Sequence, residues 1–179
     1  MKYIRRLLMY LSSRLFVLVL IVSLCVVSFY YAMNVTNMQI ILKDGMAKRA
    51  QVVMGMTDVS ELSSYFQSVY LGSDPAIQTA LNGESAYRDY NIRGIDHRIE
   101  MGFVWVWPWD ETCRVQIVER IPRIDGRIKG DRAEEAVAVY GQSAVYPPAW
   151  QSARYSVTMV RESGQWHIKA LVMQEILED

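Results

Sequence analysis

A chain of 179 residues with 19 Lys+Arg against 19 Asp+Glu carries no charge excess that would organise recognition of nucleic acid or of a strongly acidic partner. Two cysteines exclude a disulfide-stapled scaffold. The 51% apolar content is ample for a globular core, and it is unevenly spread, with one long block near the N-terminus.

That block is residues 15–33, nineteen positions without a charged side chain. At ~1.5 Å per residue a helix of this length reaches ~28 Å, enough to cross a hydrocarbon core once. Before it stand Lys2, Arg5, Arg6 and Arg14 with no acid, whereas the first stretch after it mixes Lys43, Lys48 and Arg49 with Asp44. This asymmetry predicts a cytoplasmic basic tail (1–14), a transmembrane helix (15–33), a juxtamembrane helix (34–57) and the remainder of an extracytoplasmic domain (58–179) at the cell membrane. A cleaved leader would need small residues where Tyr30 and Tyr31 stand, and a lipidation signal would need one in place of Leu24 before Cys25, so an uncleaved signal anchor is expected. Arg14, Tyr30 and Tyr31 are then candidate contacts to the bilayer. With Cys25 in the span and Cys113 in the domain no internal disulfide is expected, and Cys113 reads as a small packing residue. The sequon at Asn34, Val35 and Thr36 lies against the membrane and carries no weight.

Beyond the span, Met38, Leu42, Met46, Ala50 and Val53 recur at spacings of three and four and predict a helix over 35–56. Lys43, Lys48 and Arg49 are placed off the stripe. The stripe either packs on its own domain or pairs with a second copy as a stalk. Asp58 and Glu61 approximate a capping box for a second helix carrying Leu62, Tyr65, Phe66 and Val69 and ending at Gly72. Asp74 followed by Pro75, with Gly83 beyond, marks a third short helix over 76–81.

The period then changes to two. Ile95, Ile99, Met101, Phe103, Trp105 and Trp107 predict a long strand with one buried face, a turn at 108–111, and a second strand carrying Cys113, Val115, Ile117 and Ile121. Setting Trp107 opposite Cys113 aligns the two apolar faces. Phe103, Trp105 and Trp107 are expected in the core; Trp109, in the turn, is a candidate for the membrane interface or a partner. A second hairpin follows, with Tyr155, Val157 and Met159, a turn at 162–164, and Trp166, Ile168, Ala170 and Val172. Between the hairpins lies a connection of about thirty residues from Arg123, with a helix-like piece at 132–140 and the rigid Tyr146, Pro147 and Pro148, which suits a partner-binding surface better than a tether.

The expected class is α+β: three helices on one face of a curved antiparallel sheet of two long hairpins. The closing hairpin, with Tyr155, Val157 and Met159 followed by Gly164, Trp166 and Ile168, resembles the last strands of nuclear transport factor 2-like (SnoaL-like, cystatin-like cone) domains over about residues 36–176. The anchored layout is similar to extracytoplasmic domains of bacterial type IV secretion and conjugation assembly proteins and of ring-forming sporulation membrane proteins. That resemblance implies an assembly or scaffold component of a bacterial envelope complex, with other envelope membrane proteins as partners, a possible homo-oligomer, and no cofactor. The alternative it implies is a ligand or catalytic pocket in the cone. Glu119 and His97 are the candidate residues, since both alternate inward and a desolvated carboxyl suits acid–base work. With Trp107 opposite Cys113 the two stand about four residues apart, ~13 Å, and make no dyad. His167 alternates outward, so no metal site is expected.

Overall fold

The structure, a computed structural model, describes residues 2–178. Met1 and Asp179, the outer ends of the expected tail and domain, lie outside the described residues, as do the side chains of Lys2 and Arg5.

Helix α1 (Lys2–Val53) is one uninterrupted element of 52 residues, long and apolar enough at its N-terminal part to cross a membrane. No proline interrupts it. From Arg14 to Tyr30 its side chains are exposed, and burial begins at Tyr31 and is complete by Met38. Met38, Leu42, Met46 and Ala50 are fully buried in the chain's own core, which removes the stalk reading of the stripe. The helix stops three residues short of expectation. Gly55 takes φ +70°, and the Met56 N–H returns to the Gln51 carbonyl at 2.8 Å, closing a left-handed C-terminal cap. Gly45, which only weakens the helix by propensity, stands where a Cβ would come within 3.0 Å of Tyr65 Cβ; it lets α1 approach the domain closely.

The expected second helix is broken in two. Asp58 caps a 3-10 helix (Val59–Ser64), but Glu61 pairs with Lys48 rather than closing a capping box. Phe66 then bridges to Ile168 in parallel, with Gln67 N–H on the Ile168 carbonyl at 3.0 Å and Ile168 N–H on the Tyr65 carbonyl at 2.7 Å. That tether ends the first piece before α2 (Ser68–Leu71) begins. Helix α3 (Pro75–Leu81) starts as read, with Asp74 accepting from the N–H groups of Ala76 and Ile77.

Four antiparallel strands follow in the order β1 (Tyr90–Met101), β2 (Thr112–Ile128), β3 (Ala153–Glu162), β4 (Gln165–Ile176). The β3–β4 turn is a two-residue Ser163–Gly164 loop with both φ values positive, matching the twist of its strands. The β1–β2 hairpin departs from expectation. β1 leaves the ladder at Gly102, whose N–H makes a last bond to the Gln116 carbonyl, and Met101 faces Ile117. Residues 102–111 form a loop in which Val104 (5% exposed) and Val106 (0%) turn inward, while Phe103 (84%), Trp105 (58%) and Trp107 (40%) face out. The expected aromatic core strand is therefore inverted.

Higher up, Asp96 faces Arg123 and Arg98 faces Arg120, leaving Ile121 and Pro122 together opposite His97. Pro122 has no N–H to donate, and a bulge is where a strand accommodates it. β2 continues to Ile128, so the connection to β3 is residues 129–152, with α4 (Gly130–Tyr140) and a 3-10 helix (Gln142–Val145) inside it. The core lies between α1, Leu62, Phe66 and Ile77 on one side and Val115, Ile117, Tyr155, Val157, Met159 and Ile168 on the sheet.

Candidate functional site

Two constellations stand apart from ordinary packing. The first is a buried polar group beneath the C-terminal half of α1. Arg49, placed off the stripe by its charge, follows Met46 by three residues and Leu42 by seven, and the stripe carries it inward to 7% exposure. Its Nε donates to Asp74 Oδ2 at 2.6 Å and its Nη2 to Asp74 Oδ1 at 3.1 Å, a bidentate pair. The Tyr70 hydroxyl donates to the same carboxylate at 2.8 Å. Burial by itself would raise the Asp74 pKa, but the Arg49 guanidinium and the Tyr70 hydroxyl together outweigh it and hold the carboxyl below its ordinary range. Burial raises the Tyr70 phenol, with the Asp74 charge adding to it, and burial likewise raises the Tyr155 phenol, with Glu119 as the next cause. Asp74 thus caps α3 and neutralises Arg49 with one side chain.

His97 and Glu119 join this group from the sheet. The two-residue bulge at Ile121 and Pro122 slides β2 past β1, and His97 Nε2 comes to 2.9 Å from Glu119 Oε1 instead of the expected ~13 Å. The expectation that they make no pair is corrected. Their side chains are 5% and 0% exposed, and His97 Nδ1 and Glu119 Oε2 have no hydrogen-bond partner among the described residues. Glu119 also acts electrostatically on Arg49 and Tyr155. Arg49 thus pairs directly with Asp74, and His97 with Glu119, in one buried polar group. The second pair can hold or relay a proton, but it is closed over by protein.

Beside Arg49 a cleft of about 260 Å³ opens to solvent, walled by Tyr87 and Trp150, whose rings stack at 6.1 Å, with Tyr155 at its base. Sequence reading missed Arg49, Asp74, Tyr70 and Tyr155 as a group. The available signal was a charge at stripe spacing, Arg49 after Met46.

The second constellation is aromatic. The Tyr31 hydroxyl donates to the Val104 carbonyl at 2.8 Å, and its ring lies 5.3 Å from that of Trp105. Trp105 meets Trp107 edge-on at 5.2 Å, and Trp107 stacks on Trp109 at 5.2 Å and 6°. Trp109 is 68% exposed. Tyr30 is exposed with its ring against Phe29, and the Arg14 guanidinium sits 4.8 Å above the Tyr10 ring. In the connection, Tyr146 is exposed under the Arg127 guanidinium, Pro147 packs at Gly126, and Pro148 is exposed. These lie at the other end of the sheet from Trp109, so the predicted partner residues form two separate surfaces.

Cys113 is half-buried, and burial followed by the Asp110 charge pushes its thiol pKa up, away from a nucleophilic thiolate at neutral pH. Among the described residues no group of His, Cys, Asp and Glu has the disposition to hold a metal ion. No family model, curated protein or solved structure matches the chain.

Proposed function

We propose that the protein is a single-pass, membrane-anchored extracytoplasmic module, cone-like and similar to nuclear transport factor 2-like domains, that serves as an assembly component of a bacterial envelope complex through protein–protein contact. Secretion, conjugation and sporulation complexes are the types its layout resembles. The N-terminus lies in the cytoplasm, held by Arg6 and Arg14 with the rest of the basic tail.

The observation that carries this reading is the contrast between the two ends of the domain. At one end, α1 is both the exposed apolar rod and the buried stripe, so the domain is fixed to its anchor without a linker. At the other, α4 buries none of its residues and holds out Val139 (65% exposed) and Tyr140 (77%) near Tyr146. A helix that is only half-buried along one face and turns two large apolar side chains outward is well suited to a partner.

Crosslinking in intact cells, followed by recovery of the full chain and identification of bound proteins, tests the reading. The control variant replaces residues 130–145 with a Gly-Ser linker, leaving β2 whole. Envelope membrane proteins recovered with the native chain and lost with the variant are the expected result; identical recoveries from both would sink the role given to the connection.

A second reading, small-ligand binding, is favoured by the cleft beside Arg49, where the Trp150 Nε1–H is buried without an acceptor among the described residues. A ligand found by screening should be lost on Trp150→Ala. Loss on Glu119→Gln in a folded chain would extend the site to the His97 pair.

A further inference from the structure

We infer that the loop 102–111 is a bilayer-interface element whose rings Phe103, Trp105, Trp107 and Trp109 lodge at the headgroup–acyl boundary of the membrane that α1 crosses, an inference that rests on the anchor reading above.

Height is the first argument. The charge-free run ends at Met33, and the loop is fastened to α1 at Tyr31, two residues inside that end. At ~1.5 Å per residue this places the fastening ~3 Å inside the end of the apolar run, where aromatic belts sit. From Tyr31 the tryptophans run outward in three ring-to-ring steps of just over 5 Å.

Composition is the second. A soluble domain turns its rings inward and its small residues out, and here the pleat is reversed, with valines beneath and four large rings on the surface. Rings with an apolar body and, for tryptophan, a polar N–H suit the boundary between headgroups and chains.

The rings are also held in place. Trp107 N–H donates to Asp110 Oδ2 at 2.7 Å, closing the turn. Arg161 donates from Nη1 to the Pro108 carbonyl at 2.8 Å and from Nη2 to Asn34 Oδ1 at 2.7 Å, which staples the loop to α1 a second time. The Arg161 N–H adds a bond to the Glu111 carbonyl at 2.7 Å. Exposure of the rings is thus a fixed feature of the surface.

The occupant is lipid because the rings hang from the same face of α1 as Val27 (36%) and Leu24 (66%), which stand four and seven residues before Tyr31 and are exposed along the apolar rod. A protein covering the rings would have to displace lipid from that face too.

The full chain reconstituted in phosphatidylcholine vesicles, with and without bromine in the upper part of the acyl chains, provides the test through tryptophan emission. The loop holds three of the five tryptophans, and bromine should reduce emission by roughly half. The variant W105F/W107F/W109F, which retains Trp150 and Trp166, should lose the quenching; should it fail to fold, Trp109→Phe alone should diminish it. Equal emission from both vesicle types by a chain that floats with them would place the rings in water or under a protein, overturning this inference while leaving the anchor intact. Undiminished quenching in the triple variant would overturn it as well, since the signal would then come from Trp150 or Trp166. A chain that does not float with the vesicles would overturn the anchor reading and this one together.

Discussion

The two ends of the domain, at Tyr31 and at Val53, are built from opposite chemistry. Around Tyr31 the surface is aromatic and the bonds beneath it fasten a loop to a helix. Around Val53 the surface is charged: Arg93, Asp125, Arg127 and Lys129 line a groove of about 360 Å³, and the exposed α4 adds Asp131, Arg132 and Glu135. The interior changes in the same direction, from methionine and leucine along the first turns of the stripe to the Arg49, Asp74, Glu119 and His97 group. The ~33 Å of helix between Tyr31 and Val53 thus separates a surface fitted to an apolar medium from one fitted to water.

The largest way to break this contrast is to remove the charge inside the Val53 end. Arg49→Leu should cost about 3–5 kcal/mol, because it strands the buried Asp74 carboxylate without its bidentate partner, and R49L/D74L should recover part of that loss. Urea unfolding of the detergent-solubilised chain measures both; a cost below about 1 kcal/mol for Arg49→Leu would mean that water reaches the carboxylate.

Acid probes the same group. The folded Asp74 pKa lies below its unfolded value, so its contribution to stability is present above the ordinary aspartate range and is lost as pH falls through the folded value. Melting temperature should therefore drop on acidification below about pH 4, and Asp74→Asn, already destabilised at neutral pH, should show a shallower drop.

A smaller effect is expected at Gly45. Alanine improves helix propensity by ~1 kcal/mol, but its Cβ meets Tyr65 Cβ, whose backbone is held by the bond to Ile168, and overpacking of this kind costs ~1–3 kcal/mol. Gly45→Ala should be net destabilising in thermal melts; a gain would show that the 65–66 segment can retreat.

The smallest effect is predicted at α4. Val139→Ser with Tyr140→Ser should leave stability within about 0.5 kcal/mol while weakening partner recovery in the crosslinking experiment, since neither side chain is buried. A large loss of stability would assign those residues to the fold.

The parts legible in sequence are those whose signals are local. The apolar run, the α1 stripe, the Asp74–Pro75 helix start and the Ser163–Gly164 turn each follow from residues within a few positions of one another, and each formed. The 102–107 segment is ambiguous in sequence because Phe103, Val104, Trp105, Val106 and Trp107 are all apolar, so a period of two fits either phase, and ring size alone points to the opposite face from the one the structure buries. The His97–Glu119 contact depends on register, and an unbroken alternation through Pro122 places the two residues far apart. A proline inside an alternating run is itself a bulge signal, and a bulge there brings the two residues together. The break at Phe66 has no local sign, since its bridge partner Ile168 lies 102 residues on.

Because α1 runs from Lys2 to Val53 with no proline and no turn, the chain has no swivel where the apolar rod enters the domain. Under the anchor reading proposed above, it would act as a lever with its fulcrum at Tyr31. If the rod leans by about 10° to fit a thinner bilayer, the Val53 end sweeps sideways by about 6 Å over its ~33 Å arm, and α4 travels with it. Bilayer thickness would then set the reach of the charged end, much as the angle of a mast sets the position of its tip.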